Sequence, residues 1–340
     1  MSRKKYKVAV VGAGMVGEEL VRVLEQRKFP MSELRIMART AREQEVGGRK
    51  RRIVETSDAA FDGLHIALFA GTEGESGASQ LYGWKAVEKG VFVVDNGADF
   101  RMDERVPLVV PEVNAEALRG HKGFISNPNC STIQMVVAVA PLHRAARIKR
   151  IVVSSYQAVS GTGRAGVQAL AQQRKAALQG GQFELGPYFH PIYDNCIPEI
   201  GGLKPEFPGY FSEEVKMVLE TRKILECPDL QVTATCVRVP VANGHSEAVN
   251  VEFERDISAE EARRILSDAP GIVVADDLAG HRYPLAASAS GTDPVYVGRI
   301  RKDFSRPNAL NLWCVSDNIR KGAALNTVQI AEKAIEMGLI

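Results

Sequence analysis

A short apolar run at residues 8–11 ends on the turn Gly12-Ala13-Gly14-Met15-Val16-Gly17, and the apolar residues Val16, Leu20, Val23 and Leu24 then recur at helical spacing. Strand, glycine turn and helix in that order leave few folds open, because together they begin a dinucleotide-binding βαβ unit. The first glycine turns the chain, the second lets a pyrophosphate approach the backbone, and the third lets helix and strand pack closely. The helix N-terminus then faces the phosphates. A purely structural glycine turn is the competing reading; the strand before it and the periodic helix after it favour the dinucleotide. Further apolar runs at 34–38, 65–70 and 91–94, separated by polar or helix-compatible stretches, read as strands of a parallel, doubly wound sheet. Residues 1–129 are therefore expected to form an α/β, Rossmann-type domain.

A domain that prefers NAD usually ends its second strand in Asp or Glu, which grips the ribose 2′-hydroxyl. Here the run at 34–38 is followed by Arg39-Thr40. A guanidinium and a hydroxyl suit a 2′-phosphate, so NADP is favoured over NAD. The alternative makes Arg39 one of several exposed arginines, with Arg42, Arg49, Arg51 and Arg52.

After Asn127-Pro128-Asn129 the texture changes. A long apolar helix is expected at 132–142, a strand at 151–159, and further helices at 166–178 and 212–226. Residues 231–241 and 248–254 alternate apolar and polar side chains, as antiparallel strands with one buried face do. Residues 130–321 thus read as a second, α+β domain, catalytic and dimer-forming. The last stretch, 322–340, carries Leu325, Val328, Ile330, Ala331 and Ile335 on a broad helical face and is expected to return to the first domain.

The 340 residues, 45% hydrophobic and 25% charged, are enough for two full cores. A formal net charge of +2 gives no global electrostatic case for nucleic acid or an anionic membrane. The cysteines Cys130, Cys196, Cys227, Cys236 and Cys314 are scattered with no CxxC pair, which argues against a disulfide framework and against a zinc site, so no metal is expected. The apolar run behind the basic N-terminus is too short for a signal sequence or a membrane span, and cytoplasmic residence is expected.

One cysteine differs from the rest. Asn127-Pro128-Asn129-Cys130-Ser131-Thr132 sets Cys130 after a Pro-stiffened turn and at the start of an apolar helix. Unpaired amides and the positive end of the helix dipole stabilise a thiolate there and can hold an oxyanion. The other four cysteines read as small buried hydrophobes. Among six histidines, His245 is the best candidate partner, in a turn between two expected strands where Arg238 and His245 converge on one pocket. His65, His121, His143 and His281 read as surface or core residues, and His190 is open.

These residues, with Asn96-Gly97-Ala98-Asp99-Phe100-Arg101, Val109-Val110-Pro111-Glu112-Val113-Asn114, Tyr156-Gln157-Ala158-Val159-Ser160-Gly161, Glu213 to Lys216 and Lys321 to Asn326, resemble the aspartate-semialdehyde dehydrogenase family in order and spacing. The resemblance implies that Cys130 is the nucleophile, His245 its acid/base partner and Gln157 the amide that orients them. It implies that Arg238 holds a substrate α-carboxylate and Glu213 its ammonium, with Asn129 beside them, and that Arg101, Asn96 and Lys216 bind phosphate. NADP would be held by Gly12, Ala13, Gly14, Met15, Val16, Gly17, Arg39, Thr40, Ala70 and Gly71, with Ser160, Gly161 and Asn326 near its nicotinamide half. Without the resemblance, Glu213 and Lys216 read as an i,i+3 pair on a solvated helix face. The loop Phe69-Ala70-Gly71-Thr72-Glu73-Gly74-Glu75-Ser76 is more acidic than the family's usual stretch, and Glu73 and Glu75 are expected to face solvent.

The implied reaction is the reversible, NADPH-dependent conversion of L-4-aspartyl phosphate to L-aspartate 4-semialdehyde, in the route to lysine, threonine and methionine. In the oxidative direction His245 takes the Cys130 proton, the thiolate attacks the aldehyde, hydride leaves for NADP⁺, and inorganic phosphate cleaves the thioester. A homodimer is implied. The alternatives are an N-acetyl-γ-glutamyl-phosphate reductase and an NADP-binding paralogue without catalysis.

Overall fold

The computed structural model describes residues 4–71 and 74–340. The chain divides into two compact units, Met1–Asn129 with Ala323–Ile340, and Cys130–Gly322. In the first unit, β1 (Tyr6–Val11) leads through the glycine turn into α1 (Met15–Gln26). There follow β2 (Met31–Ala38), β3 (Arg42–Val46), β4 (Arg49–Glu55), β5 (Ile66–Phe69), α2 (Ala78–Glu88), β6 (Phe92–Asp95), the one-turn α3 (Pro111–Asn114) and β7 (Phe124–Ser126). The seven strands lie in the order β3-β4-β2-β1-β5-β6-β7, parallel except for the β3–β4 pair.

Both faces of β1 are buried. Val8 and Val10 enter a core with Leu20, Val23 and Leu24 of α1, whereas Ala9 and Val11 enter a second with Phe61 and Phe69. A strand covered on both faces has no reason to alternate, which is why residues 8–11 form a continuous apolar run. The sequence reading has no strands at 42–55, because β3 and β4 are mostly charged. Of their residues only Val46 and Ile53 are buried, and the rest make an edge hairpin with Arg51 paired to Glu25 and Lys50 to Glu43, each at 2.5 Å.

The second unit begins with α4 (Cys130–Ala146), β8 (Ile148–Gln157), α5 (Gly163–Gln179), α6 (Ser212–Ile224), β9 (Gln231–Arg238) and β10 (His245–Phe253). It continues with α7 (Ala259–Ser267), β11 (Ile272–Val274), the one-turn α8 (Ala286–Ala289), β12 (Val295–Lys302) and β13 (Ala309–Ser316). Its six strands lie in the order β11-β12-β13-β10-β8-β9. Helix α4 packs on β8, β10, β12 and β13, α6 on β9, and α7 on β11 and β12.

Two expectations change here. The segment at 248–254 lies in β10, antiparallel to β8 and β13 as expected, but that at 231–241 does not pair antiparallel: β9 runs parallel to β8, which separates it from β10. Alternation reports a buried face and is silent about which strand lies alongside. His245 is not a loop residue but the first residue of β10, with no exposed surface. After β13, a π-helical turn at Arg320–Ala324 leads into α9 (Leu325–Glu336), whose Leu325, Val328, Ile330 and Ala331 join the first unit's core.

The glycine turn combines one conformational demand with one steric demand. Gly12 adopts φ +114°, and a Cβ on Gly17 would lie 1.8 Å from the Gly12 carbonyl oxygen, whereas a Cβ on Gly14 would meet nothing within 4 Å. Gly17→Ala is therefore expected to destabilise the chain by about 3 kcal/mol or more. Gly14→Ala should leave stability within about 0.5 kcal/mol of the parent. Urea unfolding of both variants checks this, and equal losses would contradict it.

Candidate active site

The register of the second sheet brings four strand ends together. Gln157, the last residue of β8, pairs with Arg238, the last of β9. Strand β10 runs the other way and starts at this edge with His245, whose partner is Ser316 at the end of β13. Ser316, His245, Gln157 and Arg238 thus form one buried row across the sheet. The first turns of α4 lie over it, since Ser316 Oγ hydrogen-bonds Gln134 Oε1 at 2.8 Å, four residues after Cys130. Cys130 is half-buried.

Two residues that the sequence reading passed over connect Cys130 with this row. A Cβ on Gly322 would sit 2.7 Å from Cys130 Cβ and 3.6 Å from Asn318 Cβ, so the π-helical turn packs directly on the cysteine. Such turns recur at functional sites. Asn318 Oδ1 accepts from the Gly244 amide at 3.0 Å and from Ser160 Oγ at 2.9 Å, anchoring the residue just before His245. A glycine followed by two alanines at 322–324 was the available signal for a close approach.

The Ala158 backbone links Arg238 to His245. Its carbonyl accepts from Arg238 Nη1 at 2.7 Å, and its N–H donates to His245 Nδ1 at 3.0 Å. Gly161 leaves the space in front of both side chains: a Cβ there would lie 2.7 Å from Arg238 Nη1 and 3.3 Å from His245 Nε2. Burial, and then the positive charge of Arg238, hold the imidazole well below its ordinary range. His245 Nε2 has no hydrogen-bond partner among the described residues.

Gln157 Nε2 donates to Glu213 Oε1 at 3.0 Å and to Ser155 Oγ at 3.2 Å. Glu213 is buried, so the solvated-pair reading fails, and Lys216 one turn along α6 is half-buried. The neighbouring Glu214 has a structural task, accepting from the Phe211 and Cys236 amides.

The remaining predicted residues belong to the first unit. Arg101 Nη2 donates to the Asn96 carbonyl at 2.7 Å, while the Asn96 side chain donates to the Phe69 carbonyl and accepts from Thr327 Oγ1. Asn129 is buried. Asn326 donates to Asn127 Oδ1 at 2.8 Å and to the Val109 carbonyl at 3.0 Å, which fixes the turn preceding Cys130. Glu75 is exposed; Thr72 and Glu73 lie outside the described residues. Among the other cysteines, Cys236 and Cys314 are buried, but Cys196 is exposed and Cys227 half-buried, so the buried-hydrophobe reading fails for those two. His65, His190 and His281 are exposed, and His121 and His143 half-buried.

The dinucleotide fits what is present. Gly14 caps α1 with open space beyond it and brings no capping side chain to the helix-terminal amides. Gln44 Nε2 pins the Ala13 carbonyl at 2.9 Å, and Arg39 and Thr40 are exposed at the end of β2 with no carboxylate at either position. Among the described residues no group of three His, Cys, Asp or Glu side chains could hold a metal ion, and no helix is long and apolar enough to cross a membrane.

Behind the active row lies a second one, in which Glu247 of β10 faces Ser155 and Cys314. A glutamate in the inward phase of β10 was visible in the sequence and had not been singled out. Burial, aided by the negative charge of Glu213, raises the Glu247 carboxyl from 4.5 to about 8, although the Cys314 thiol 3.3 Å away opposes the shift. Between those two pH values the folded chain holds a proton that the unfolded chain has lost, so stability falls as pH rises through that window, by about 1.4 kcal/mol per unit. Glu247→Gln should remove this decline and make the variant more stable than the parent at high pH. Urea midpoints at acid and alkaline pH check it, and parallel profiles would contradict it.

Comparison with known proteins places this geometry in a family. Residues 7–121 match the family model described as "Semialdehyde dehydrogenase, NAD binding domain", and residues 139–321 match "Semialdehyde dehydrogenase, dimerisation domain". The aspartate-semialdehyde dehydrogenase of Aquifex aeolicus is 46% identical across 98% of this chain and 99% of its own length. That of Bacillus subtilis is 44% identical across 98% of both chains. A crystal structure of aspartate semialdehyde dehydrogenase II from Vibrio cholerae, also solved in complex with ASA, is 42% identical with a TM-score of 0.92, covering 98% of this chain and 99% of that one. The chain belongs to the aspartate-semialdehyde dehydrogenase family.

Proposed function

We propose that the chain interconverts L-4-aspartyl phosphate and L-aspartate 4-semialdehyde, with NADPH as the biosynthetic reductant and a thioester on Cys130 as the covalent intermediate. The observation that carries this reading is Cys130 at the N-terminus of α4, over a buried row of Gln157, Arg238 and His245. Full-length relatives that bear the enzyme's name support the substrate, as does the ASA complex of the Vibrio cholerae neighbour.

The amides at the start of α4 stabilise the Cys130 thiolate and hold the oxyanion formed when it attacks the carbonyl carbon. Arg238 spends Nη1 on the Ala158 carbonyl and keeps the rest of its fork for the α-carboxylate. Glu213, held by Gln157, meets the substrate ammonium. That buried carboxylate suits a free ammonium rather than an acylated nitrogen, which disfavours the N-acetyl-γ-glutamyl-phosphate alternative. Arg101, Asn96 and Lys216 are the phosphate-binding groups in this reading. When bound, the dinucleotide supplies or accepts the hydride. Gly12 to Gly17 and the α1 terminus hold its pyrophosphate, and Arg39 with Thr40 its 2′-phosphate, which makes it NADP.

A homodimer fits the description of the second family model. It is also supported by Tyr156, 37% exposed and packed on Trp313 at 5.6 Å, because an apolar pair on a sheet face suits a subunit contact. Five cysteines without a disulfide support a reducing compartment such as the cytoplasm.

Cys130→Ala is expected to abolish phosphate-dependent NADP⁺ reduction by the semialdehyde, followed by absorbance; appreciable residual turnover would sink the thioester. Arg39→Ala should lower kcat/KM for NADPH relative to NADH about tenfold to a hundredfold, the worth of one charge-assisted hydrogen bond. Paired kinetics with the two cofactors reads that ratio, and an unchanged ratio would leave NADP preference without its proposed cause.

A further inference from the structure

We propose that Arg42, at the start of the edge strand β3, is a further residue that selects NADP over NAD, and that Gln44 is the positioning residue that aims its guanidinium at the ribose 2′-phosphate. This deepens the function proposed above and rests on its NADP reading.

Arg42, Gln44 and Val46 alternate along one face of β3, and the register of the hairpin sets Arg42 opposite Ile53. Val46 and Ile53 are buried in the core that also holds Leu20, Val21 and Leu24 of α1, so this face of the outermost strand turns toward α1. Gln44 thereby reaches the glycine turn. Its Nε2 donates to the Ala13 carbonyl at 2.9 Å and to Glu18 Oε1 at 3.2 Å, while its Oε1 accepts from Arg42 Nε at 3.0 Å and Nη2 at 2.8 Å. These contacts fix the sense of the amide, because a flipped amide would set N–H against N–H and oxygen against oxygen.

Arg42 is held at a second point. Its Nη1 donates to the Thr40 carbonyl at 3.1 Å and lies 3.5 Å from Thr40 Oγ1. The guanidinium therefore rests just past the end of β2, where a dinucleotide-binding fold meets the 2′ substituent of the ribose. Of the five N–H bonds of a guanidinium, Gln44 takes those of Nε and one of Nη2, and the Thr40 carbonyl takes one of Nη1. Each Nη nitrogen keeps one N–H, a pair that suits two oxygens of a phosphate. The charge is also uncommitted: among the described residues no carboxylate pairs with Arg42, and Glu18 meets the Gln44 amide instead. The other hairpin arginines near α1 differ, since Arg51 is paired with Glu25 at 2.5 Å and Arg49 lies 4.0 Å from the same carboxylate. A fork already ordered by two neighbours loses little further freedom when an anion arrives. Through the Ala13 carbonyl, the same amide ties this fork to the turn that holds the pyrophosphate.

The test follows, by calorimetry on the full chain, the binding of adenosine 2′,5′-bisphosphate and of adenosine 5′-monophosphate, which differ only in the 2′-phosphate. In Arg42→Ala the preference for the bisphosphate should fall about tenfold to a hundredfold, the range for a charge-assisted hydrogen bond. Affinity for the monophosphate should change little. Arg49→Ala, which removes an equal charge at the turn of the hairpin, should keep the preference of the parent. Gln44→Leu, or Gln44→Met should the first not fold, should lose part of the preference. Added to Arg42→Ala, it should alter the preference by less than about twofold, as a residue acting through another does. An undiminished preference in Arg42→Ala, an equal weakening of both nucleotides, equal losses in Arg42→Ala and Arg49→Ala, or additive losses from Arg42 and Gln44 would each overturn the proposal. A parent chain that binds the two nucleotides alike would instead refute the NADP reading, and the proposal with it.

Discussion

The parallel pairing of β8 with β9, set against the antiparallel β10, is the constraint on which the rest depends. Two strands finish and one begins at the same edge, so Gln157, Arg238 and His245 share a row although 87 residues of sequence lie between the first and the last. A single-residue slip in either pairing would turn one of these side chains to the opposite face. The chemistry of the site is therefore held by backbone ladders, which are stiffer than loops, and only the α4 terminus and the loop glycines need to be brought to them.

That row is expensive to bury. Arg238, Glu213, Gln157 and His245 all lie in the interior, with Glu247 directly behind them, and such groups persist when each finds a partner. Most do: Arg238 has the Ala158 carbonyl, Gln157 has Glu213, and Asn318 has Gly244 and Ser160. Glu247 follows another course and keeps its proton at neutral pH. His245 Nε2, like Glu247 Oε1, has no hydrogen-bond partner among the described residues, and it faces the space beside Gly161.

How much of this was legible in the sequence depends on the range of the interaction concerned. The β1–turn–α1 unit and Cys130 at the start of α4 were readable because a glycine pattern and a helix terminus are local features. The strands β3 and β4 of the edge hairpin were not, since their residues pair in a sheet through backbone while their side chains advertise solvent. Pairing of β9 with β8 was hidden for a different reason: alternation describes one strand's two faces and carries no address for its neighbour. The Ala158 peptide left no trace, because an alanine's side chain says nothing about where its N–H and C=O point. Asn326 was placed by resemblance near the cofactor, and its amide proves to be committed to Asn127 and Val109 within the first unit.

The charged β3–β4 hairpin has a consequence beyond its own unit. A seven-stranded sheet that ended on an apolar strand would offer unpaired N–H and C=O groups to any passing chain. Here the outermost strand reads Arg42-Glu43-Gln44-Glu45-Val46, with Lys50 neutralising Glu43 from behind, so a foreign strand seeking to add itself would have to strip water from a row of ions. The hairpin that escapes a hydropathy reading thus makes this edge of the sheet a poor template for strand addition.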